Sequence, residues 1–404
     1  MASRRKVIQT LASLPFIGAY LGPNTLSANP GAAAVVSNVR RDFFKELGLR
    51  TFINAAGTYT SMTGSLMPKE VTEAISYGAS EYVNLDELQD KVGERIAELL
   101  NCEYATVSSG AFGAMSIGMA GIMCGMDTKK VKQLPNTKGL KNEVILQESH
   151  TIGYAQALTN VGAKLVKVKT AKQLEKAITK KTVMLWFLNA NTDQGDIKWE
   201  EFIALGKKHN IPTFIDCAAD VPPLENLFRF TKMGFDLVAF SGGKGLRGPQ
   251  SAGLLLGKRK YIEAARLHTP PRGETIGRGM KVNKEEVLGM LAALEIYLKK
   301  DHKSEWEMWE SQIQLISDSA TSIEGVESKI HVPKHANHVP SLRIKWNQNL
   351  VKISPDEVRK QLREGSPSIQ TVGDSKTIGI TTWMMVPGQE GIVANRIKEI
   401  LSNT

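Results

Sequence analysis

Residues 237–250 read Leu-Val-Ala-Phe-Ser-Gly-Gly-Lys-Gly-Leu-Arg-Gly-Pro-Gln, an apolar run that ends in a glycine-rich turn carrying a lysine. The apolar part has the composition of a buried strand. Lys244, flanked by glycines at the end of such a strand, is in an unusual place for a solvated surface charge. The spacing of a nucleotide-binding phosphate loop is absent, and no helical pattern follows Lys244. The other use of such a lysine is a Schiff base with a carbonyl cofactor, its amine activated by burial and by neighbouring groups.

Short apolar runs alternate with helical patterns around this turn. The runs are residues 144–146, 164–168, 183–188, 213–215, 237–240 and 254–256, and the helical patterns cover 68–82, 84–100, 111–125, 171–180, 198–209 and 284–300. This alternation predicts an α/β fold with a mostly parallel, doubly wound sheet. Beyond Asp301 the strands become shorter, and amphipathic helices are expected near 305–324 and 355–364. This change predicts a smaller α+β domain at the C-terminal end.

The same patterns divide the chain into four parts. They are a signal segment (1–28), a linker and N-terminal segment (29–66), a large domain (67–300) and a small C-terminal domain (301–404).

Polar residues follow two other apolar runs of the large domain. Ser108, Ser109 and Gly110 form a small-residue turn before a helix, where backbone N–H groups and hydroxyls would face an anion such as a phosphate. Asp216 follows the run 213–215 directly, and a carboxylate there could hold a heterocyclic nitrogen protonated, bind a metal or cap a turn. Ligands of such folds bind at the carboxyl ends of the strands. A phosphate cradle, then an acid, then a lysine are the parts that a pyridoxal phosphate site requires.

These stretches resemble the selenocysteine-synthase-like branch of fold-type I pyridoxal phosphate enzymes, which includes L-seryl-tRNA selenium transferase and D-glucosaminate-6-phosphate ammonia-lyase-type enzymes. The resemblance also rests on Ile-Asn-Ala-Ala-Gly-Thr at 53–58, Glu-Leu-Gln at 87–89 and Ile-Gly-Arg-Gly-Met-Lys-Val at 276–282. It runs from about Val39 to about Asp301. Its strongest motif comprises Ser241 to Lys244 and Arg247 to Gln250.

The resemblance implies a set of site residues. It makes Lys244 the catalytic lysine that carries the cofactor and Asp216 the partner of the pyridine nitrogen. The expected cofactor contacts are Ser108, Ser109, Gly110, His150, Asp216, Ser241 and Lys244. His150 follows the run 144–146, and we expect it over the cofactor ring as a second catalytic residue, although a lone histidine is as often structural.

Glycine-flanked arginines in loops suit the recognition of a carboxylate or phosphate. We therefore expect substrate contacts from Arg247, Arg272, Arg278 and Lys281. The small domain departs from the family pattern, because Gln370 stands where a substrate-facing arginine is expected after Ile369. No metal site is predicted, since Cys102, Cys124 and Cys217 lie far apart.

The N-terminal segment reads as an export signal. The net charge of the 404-residue chain is +10, and Arg4, Arg5 and Lys6 contribute three of these charges. An uncharged stretch and a small-residue exit follow them, as in a secretory signal, and the paired arginines resemble a twin-arginine signal. This pattern predicts a periplasmic protein without a stable membrane anchor. The remaining charges are mixed in sign, so no nucleic-acid partner is expected.

Three functions remain open at this point. The first is a pyridoxal phosphate lyase for a small anionic amino compound, acting by β-elimination with loss of ammonia or by retro-aldol cleavage. The second is a transferase of the L-seryl-tRNA selenium transferase type, and export argues against it because tRNA is cytosolic. The third is a binding protein that retains the scaffold without catalysis. In each case we expect a homo-oligomer, at least a dimer, because symmetric dimers are the commonest assembly.

Overall fold

The structure is a computed structural model that describes residues 41–403. The helices of this part of the chain are α1 (Phe43–Glu46), α2 (Lys69–Ser80), α3 (Leu85–Leu100), α4 (Gly110–Cys124), α5 (Thr128–Gln133), α6 (Gln156–Thr159), α7 (Ala171–Ala177), α8 (Trp199–His209), α9 (Asn226–Met233), α10 (Arg259–Arg266), α11 (Lys284–Lys299), α12 (His302–Thr321), α13 (Pro355–Glu364) and α14 (Gln389–Ser402). The strands are β1 (Phe52–Asn54), β2 (Tyr104–Ser108), β3 (Glu143–Gln147), β4 (Lys164–Val168), β5 (Thr182–Leu188), β6 (Thr213–Asp216), β7 (Leu237–Ser241), β8 (Gly253–Gly257), β9 (Val326–His331), β10 (Ser341–Trp346), β11 (Ser368–Gln370), β12 (Val372–Gly373) and β13 (Ile378–Thr381).

The chain divides into two compact units, one ending at Arg50 and the other beginning at Thr51. In the described part of the first unit, α1 is capped by Asp42, whose side chain accepts a hydrogen bond from the Lys45 backbone N–H. The predicted export signal, including Arg4 and Arg5, lies outside the described residues. In residues 41–403, none of the helices combines the length and the apolar composition that crossing a bilayer requires.

A seven-stranded sheet forms the centre of the second unit. Its order is β2-β8-β7-β6-β5-β3-β4, and every pair from β7 to β4 is parallel. β8 runs antiparallel to both of its neighbours. Side chains alternate between the two faces of the sheet, so Trp186 and Phe214 enter one core while Phe187 and Ile215 enter the other. Helices cover both faces, as predicted for a doubly wound sheet.

Helix α4 crosses one face of this sheet at short range. It is buried on nearly all sides, because it lies between the sheet and α10. A Cβ atom on Gly121 would come within 2.5 Å of the Ala265 backbone nitrogen in α10. The small residues of α4 therefore allow a close helix–helix approach, which fixes the N-terminus of α4 beside the sheet.

The C-terminal part contains a second sheet, with the order β12-β13-β10-β9 and antiparallel pairing throughout. Its apolar face, which includes Leu342 and Ile380, packs in a third core with α12, α13 and α14. Strand β1 also contributes here, because it pairs in parallel with β11 and Ile53 is buried in the same core. This strand thus joins the small C-terminal layer rather than the large sheet.

Candidate active site

A cavity of about 530 Å³ lies between the carboxyl ends of the central strands and the second sheet. The large sheet contributes the ends of β6 and β7, and α4 contributes its first turn. The segment 56–60 and residues of β10 and β13 form the remaining walls. The cavity therefore occupies the position at which folds of this class bind their ligands.

Lys244 enters this cavity from the turn after β7. The turn is tight, because the Gly248 N–H donates to the Gly242 carbonyl at 2.8 Å. A Cβ on Gly243 would lie 2.4 Å from the Cα of Gln250, so glycine is required there. Burial lowers the pKa of the Lys244 amine, while Asp216 and Asp220 oppose this shift. Lowering the pKa increases the fraction of neutral amine, the form that acts as nucleophile and base.

Two buried carboxyl groups lie on the wall near Lys244. The Asp216 Oδ1 accepts a hydrogen bond from the Ala218 N–H at 2.9 Å. Burial raises the pKa of Asp216, although that hydrogen bond and Lys244 oppose the shift. Burial also raises the pKa of Asp220 to about 6, against hydrogen bonds from Asn189 and the Ala336 backbone. Asp220 was not predicted from the sequence. Its position four residues after Asp216, beyond the same apolar run, is the signal that could have indicated it.

The N-terminus of α4 forms the opposite wall. Gly110 has φ +68°, and nothing lies within 4 Å of the position that a Cβ would occupy there. Gly110, Ala111 and Phe112 all line the cavity. The first N–H groups of a helix have no partner within the helix, and they favour an anion. This turn is therefore an anion cradle open to the cavity.

The two predicted serines are placed differently. Ser108 is buried, and its hydroxyl donates to the Gly110 carbonyl at 3.0 Å, so it shapes the turn. Ser109 precedes α4 and lines a small separate recess. Neither serine is part of the cavity wall, whereas Ser241 at the end of β7 is.

His150 does not line the cavity. It is fully buried, its Nδ1 accepts the Leu188 N–H at 3.1 Å, and its ring N–H pairs with the Asn191 backbone. Its ring packs edge-on against Phe187, with ring centroids 4.4 Å apart. Burial lowers the pKa of His150 to about 4, so the ring is neutral near pH 7. This position differs from the one expected over a cofactor ring, and it leaves no ring nitrogen free to face a ligand.

The four predicted basic ligands do not line the cavity of the described chain either. The Arg247 guanidinium donates to the Trp383 carbonyl at 2.7 Å and lies 3.6 Å from Glu305. Arg272 pairs with Asp86 at 3.1 Å. Arg278 and Lys281 are exposed. The expectation of one basic set beside Lys244 is therefore corrected for a single chain, and any substrate role of these residues stays a prediction.

The cavity wall carries side chains that the sequence analysis did not select. Besides Asp220 they include Tyr59, Tyr154, Gln250, His331, Arg343 and Trp383. Most lie on loops or on the second sheet, far from Lys244 in sequence, so only the tertiary fold brings them together.

Comparison with known proteins agrees with this geometry. A family model described as L-seryl-tRNA selenium transferase matches residues 52–353. The chain belongs to this family. The L-seryl-tRNA selenium transferase family match includes the turn after β7, both carboxylates and the α4 N-terminus.

Individual relatives cover more of the chain. It is 26% identical over 373 residues to a D-glucosaminate-6-phosphate ammonia lyase of Salmonella typhimurium, which covers 89% of this chain and 98% of the relative. It is 25% identical over 374 residues to a 5′-C-glycyluridine monooxygenase-decarboxylase of a Streptomyces species, covering 89% and 92%. An L-seryl-tRNA(Sec) selenium transferase of Alkaliphilus oremlandii is 26% identical but covers 64% of this chain and 58% of its own length.

Solved structures agree with the fold. A D-glucosaminate-6-phosphate ammonia-lyase structure superposes with a TM-score of 0.79 at 25% identity, covering 90% of this chain and 99% of the other. A serine palmitoyltransferase of Sphingomonas wittichii has a TM-score of 0.55 at 12% identity, covering 87% of each chain, which shows the fold alone. The predicted fold class, the family, the enzymatic character and pyridoxal phosphate as cofactor are thereby confirmed.

The residues of this family member fit pyridoxal phosphate. The α4 N-terminus offers N–H donors and an open position at Gly110 for the phosphate. Asp216 offers a buried carboxylate for a protonated ring nitrogen, and Lys244 offers an amine whose pKa burial lowers. Bound to such an amine, the cofactor supplies an electron sink for a carbanion. These residues would hold the phosphate, the ring nitrogen and the aldehyde carbon of the cofactor.

Proposed function

We propose that this protein is a pyridoxal-phosphate-dependent lyase that acts on a small anionic amino compound, by β-elimination with loss of ammonia or by retro-aldol cleavage. The observation that carries the proposal is the placement of Lys244 with two buried carboxyl groups on one cavity wall. Similarity to a D-glucosaminate-6-phosphate ammonia lyase over 89% of the chain supports it. A selenium-transferase activity is the second candidate, but relatives of that name match a smaller part of the chain.

The side chains have separate roles in this proposal. Lys244, as a neutral amine, takes the proton from the carbon that bears the substrate amino group. Asp216 would hold positive charge on the ring nitrogen of a bound cofactor. Asp220 has a pKa of about 6, so it can carry a proton near neutral pH and give it to a leaving group. Both carboxyl groups are almost completely buried.

The first experiment locates the cofactor. Borohydride reduction of the purified protein followed by peptide mass spectrometry is expected to place the adduct on Lys244. Lys244→Ala should lose the covalent adduct, whereas Lys258→Ala should retain it, since Lys258 pairs with Asp236 instead. An adduct on another lysine would overturn the site assignment.

A second experiment identifies the reaction. Amino acids and amino sugars that carry a carboxylate or phosphate are screened for release of ammonia and of a carbonyl product, with and without an added keto acid. We expect product without the keto acid. Turnover only in its presence, with formation of a new amino acid, would indicate transamination and contradict the proposal.

We also propose that the protein is a homo-oligomer, at least a dimer, in which a second copy covers the edge of the cavity. Large apolar side chains lie exposed on and around α2, namely Leu66, Met67, Tyr77, Tyr82 and Val83. Tyr59 and Phe112, which line the cavity, are partly exposed as well. Exposed apolar side chains in such number are typical of an interface. Light scattering should give at least twice the chain mass, and a fully active monomer would contradict this.

Export through a twin-arginine-type signal is a further part of the proposal, supported by the sequence of residues 1–28 alone. Changing Arg4 and Arg5 together to lysine keeps the charge but removes the paired arginines. The double variant is expected to remain in the cytoplasm, as judged by cell fractionation. Undiminished arrival in the periplasm would mean that the segment is only a basic helix.

A further inference from the structure

The second sheet turns a polar face toward the cavity. In β10, Leu342 and Ile344 point into the core, so Ser341 and Arg343 occupy the other face. In β13, Thr381 lies opposite Ser341 and Gly379 lies opposite Arg343. All four residues line the cavity. This face therefore forms the wall across from the large sheet.

Arg343 holds a charge that the protein does not neutralise directly. Among residues 41–403 its guanidinium has no hydrogen-bond or salt-bridge partner, although most other arginines of this region have one. The Asp374 carboxylate senses its charge, but Asp374 Oδ1 is occupied by the N–H groups of Lys376 and Thr377. Burial lowers the pKa of His331, and the charge of Arg343 adds to this shift.

Gly379 provides the space in which this guanidinium lies. A Cβ on Gly379 would come within 2.4 Å of Nη1 and 3.1 Å of Cζ of Arg343. The same Cβ would come within 2.7 Å of Val372 Cγ2. A movement of Val372 alone would therefore not relieve the clash with the guanidinium. The glycine thus keeps the guanidinium against the sheet and exposed to the cavity.

A second polar group on the same face lacks a partner. The Thr381 Oγ1 is buried and makes no hydrogen bond with any described residue. It lies 3.9 Å from the position that a Cβ on Gly57 would take, and the Trp383 Nε1 lies 3.6 Å from the same point. Buried polar groups normally have partners, so an unpaired hydroxyl beside a cavity indicates a polar ligand group. The wall offers N–H and O–H donors, and Arg343 supplies its positive charge.

We infer that this wall binds an oxyanion of the substrate, a carboxylate or a phosphate ester remote from the reacting amino group, with Arg343 as its charged ligand and Thr381 as a hydrogen-bond donor. The inference rests on the proposed function and names the group that makes the substrate anionic. It also accounts for Gln370, since an arginine on another strand supplies the charge that is absent after Ile369. A planar guanidinium binds either oxyanion through two parallel hydrogen bonds.

The test measures anion binding by the purified holoprotein, whose cofactor already fills the α4 cradle. Inorganic phosphate and acetate are titrated by calorimetry into the wild type, Arg343→Gln and Arg343→Lys. Loss of a charge-assisted pair is expected to weaken binding by about ten- to a hundredfold in Arg343→Gln. The affinity of Arg343→Lys should lie between those of the wild type and Arg343→Gln. Lysine keeps the positive charge but cannot form the two parallel hydrogen bonds of a guanidinium. The better probe in the wild type identifies which oxyanion the subsite takes.

Two further variants separate this site from general surface charge. Lys329 lies opposite Arg343 on β9 but does not line the cavity, so Lys329→Gln should weaken binding less than Arg343→Gln does. Gly379→Ala leaves every charge in place and displaces the guanidinium, so it should weaken binding as Arg343→Gln does. Equal binding by the wild type and Arg343→Gln, or no binding of either probe by the wild type, would overturn the inference. Borohydride labelling of Lys244 in the same samples reports on the proposed function separately, because that adduct does not depend on Arg343.

Discussion

At the scale of single residues, burial decides the chemistry of the site. Lys244 and Asp220 are ionisable groups taken out of water, and burial shifts the pKa of each toward its neutral form. The same cause makes His150 neutral, but there Nδ1 accepts the Leu188 N–H and the ring N–H pairs with the Asn191 backbone. Position in the cavity therefore separates a reactive group from a structural one.

Asp220 should impose a pH dependence on stability. Its pKa is about 6 in the folded protein and about 3.9 in an unfolded chain, so the folded state binds its proton more tightly. Stability then falls as the pH rises from about 4 to about 6, by roughly 2 kcal/mol for this group. Asp220→Asn removes this titration. As the pH rises over that range, the free energy of unfolding of the variant minus that of the wild type should therefore increase. Urea denaturation at several pH values measures it, and parallel curves for the two proteins would refute the assignment.

His150→Ala tests the structural role found for this residue. The change leaves the Leu188 N–H without its acceptor and opens a small cavity beside Phe187. We expect the free energy of unfolding to fall by about 3 kcal/mol. Turnover per molecule of bound cofactor should change little. A large loss of turnover with an unchanged melting temperature would instead restore the acid role predicted from the sequence.

At the scale of elements, glycine positions control the packing that places the α4 cradle. Gly121 lies against α10 at a distance that excludes a Cβ, whereas Gly391 in α14 has nothing within 4 Å of such an atom. Both glycines lie in helices, so replacement by alanine raises helix propensity at each position. The two substitutions therefore differ in the packing that they disturb.

Gly121→Ala should therefore destabilise the protein by about 1 to 3 kcal/mol, because α4 and α10 must move apart. Gly391→Ala should be neutral or stabilising by up to about 1 kcal/mol. Thermal and urea denaturation of the two variants give the comparison. If Gly121→Ala proves as well tolerated as Gly391→Ala, then the close approach of α4 and α10 does not exist in solution.

At the scale of the whole molecule, β1 and the C-terminal part form one core. Ile53 in β1 is buried beside Ile369 in β11, more than three hundred residues away in the sequence. The neighbouring Phe52 is partly exposed. The cavity lies on this assembly, since residues 56–60 follow β1 directly and line it.

Ile53→Ala should lower the free energy of unfolding by about 3 kcal/mol, as removal of a buried Ile side chain usually does. Phe52→Ala should cost less than about 1 kcal/mol because its ring remains partly in water. Urea denaturation followed by fluorescence provides the measurement. Equal effects of the two changes would show that β1 is not anchored in the C-terminal core.

The sequence by itself determined the alternating pattern of strands and helices and the order of cradle, acid and lysine. Hydrophobic periodicity is a local property, so helices such as α3 and α13 are found where the pattern predicts them, at Leu85–Leu100 and Pro355–Glu364. Residues at strand ends share one edge of a parallel sheet, so Lys244, Asp216 and Gly110 could be predicted to meet. Only the tertiary structure decided which other side chains reach the cavity. It turned His150 inward, paired Arg247 and Arg272 with acids, and brought Arg343 and Asp220 to the wall. Side-chain direction and pairing depend on contacts between segments far apart in the chain, and no local pattern records those contacts.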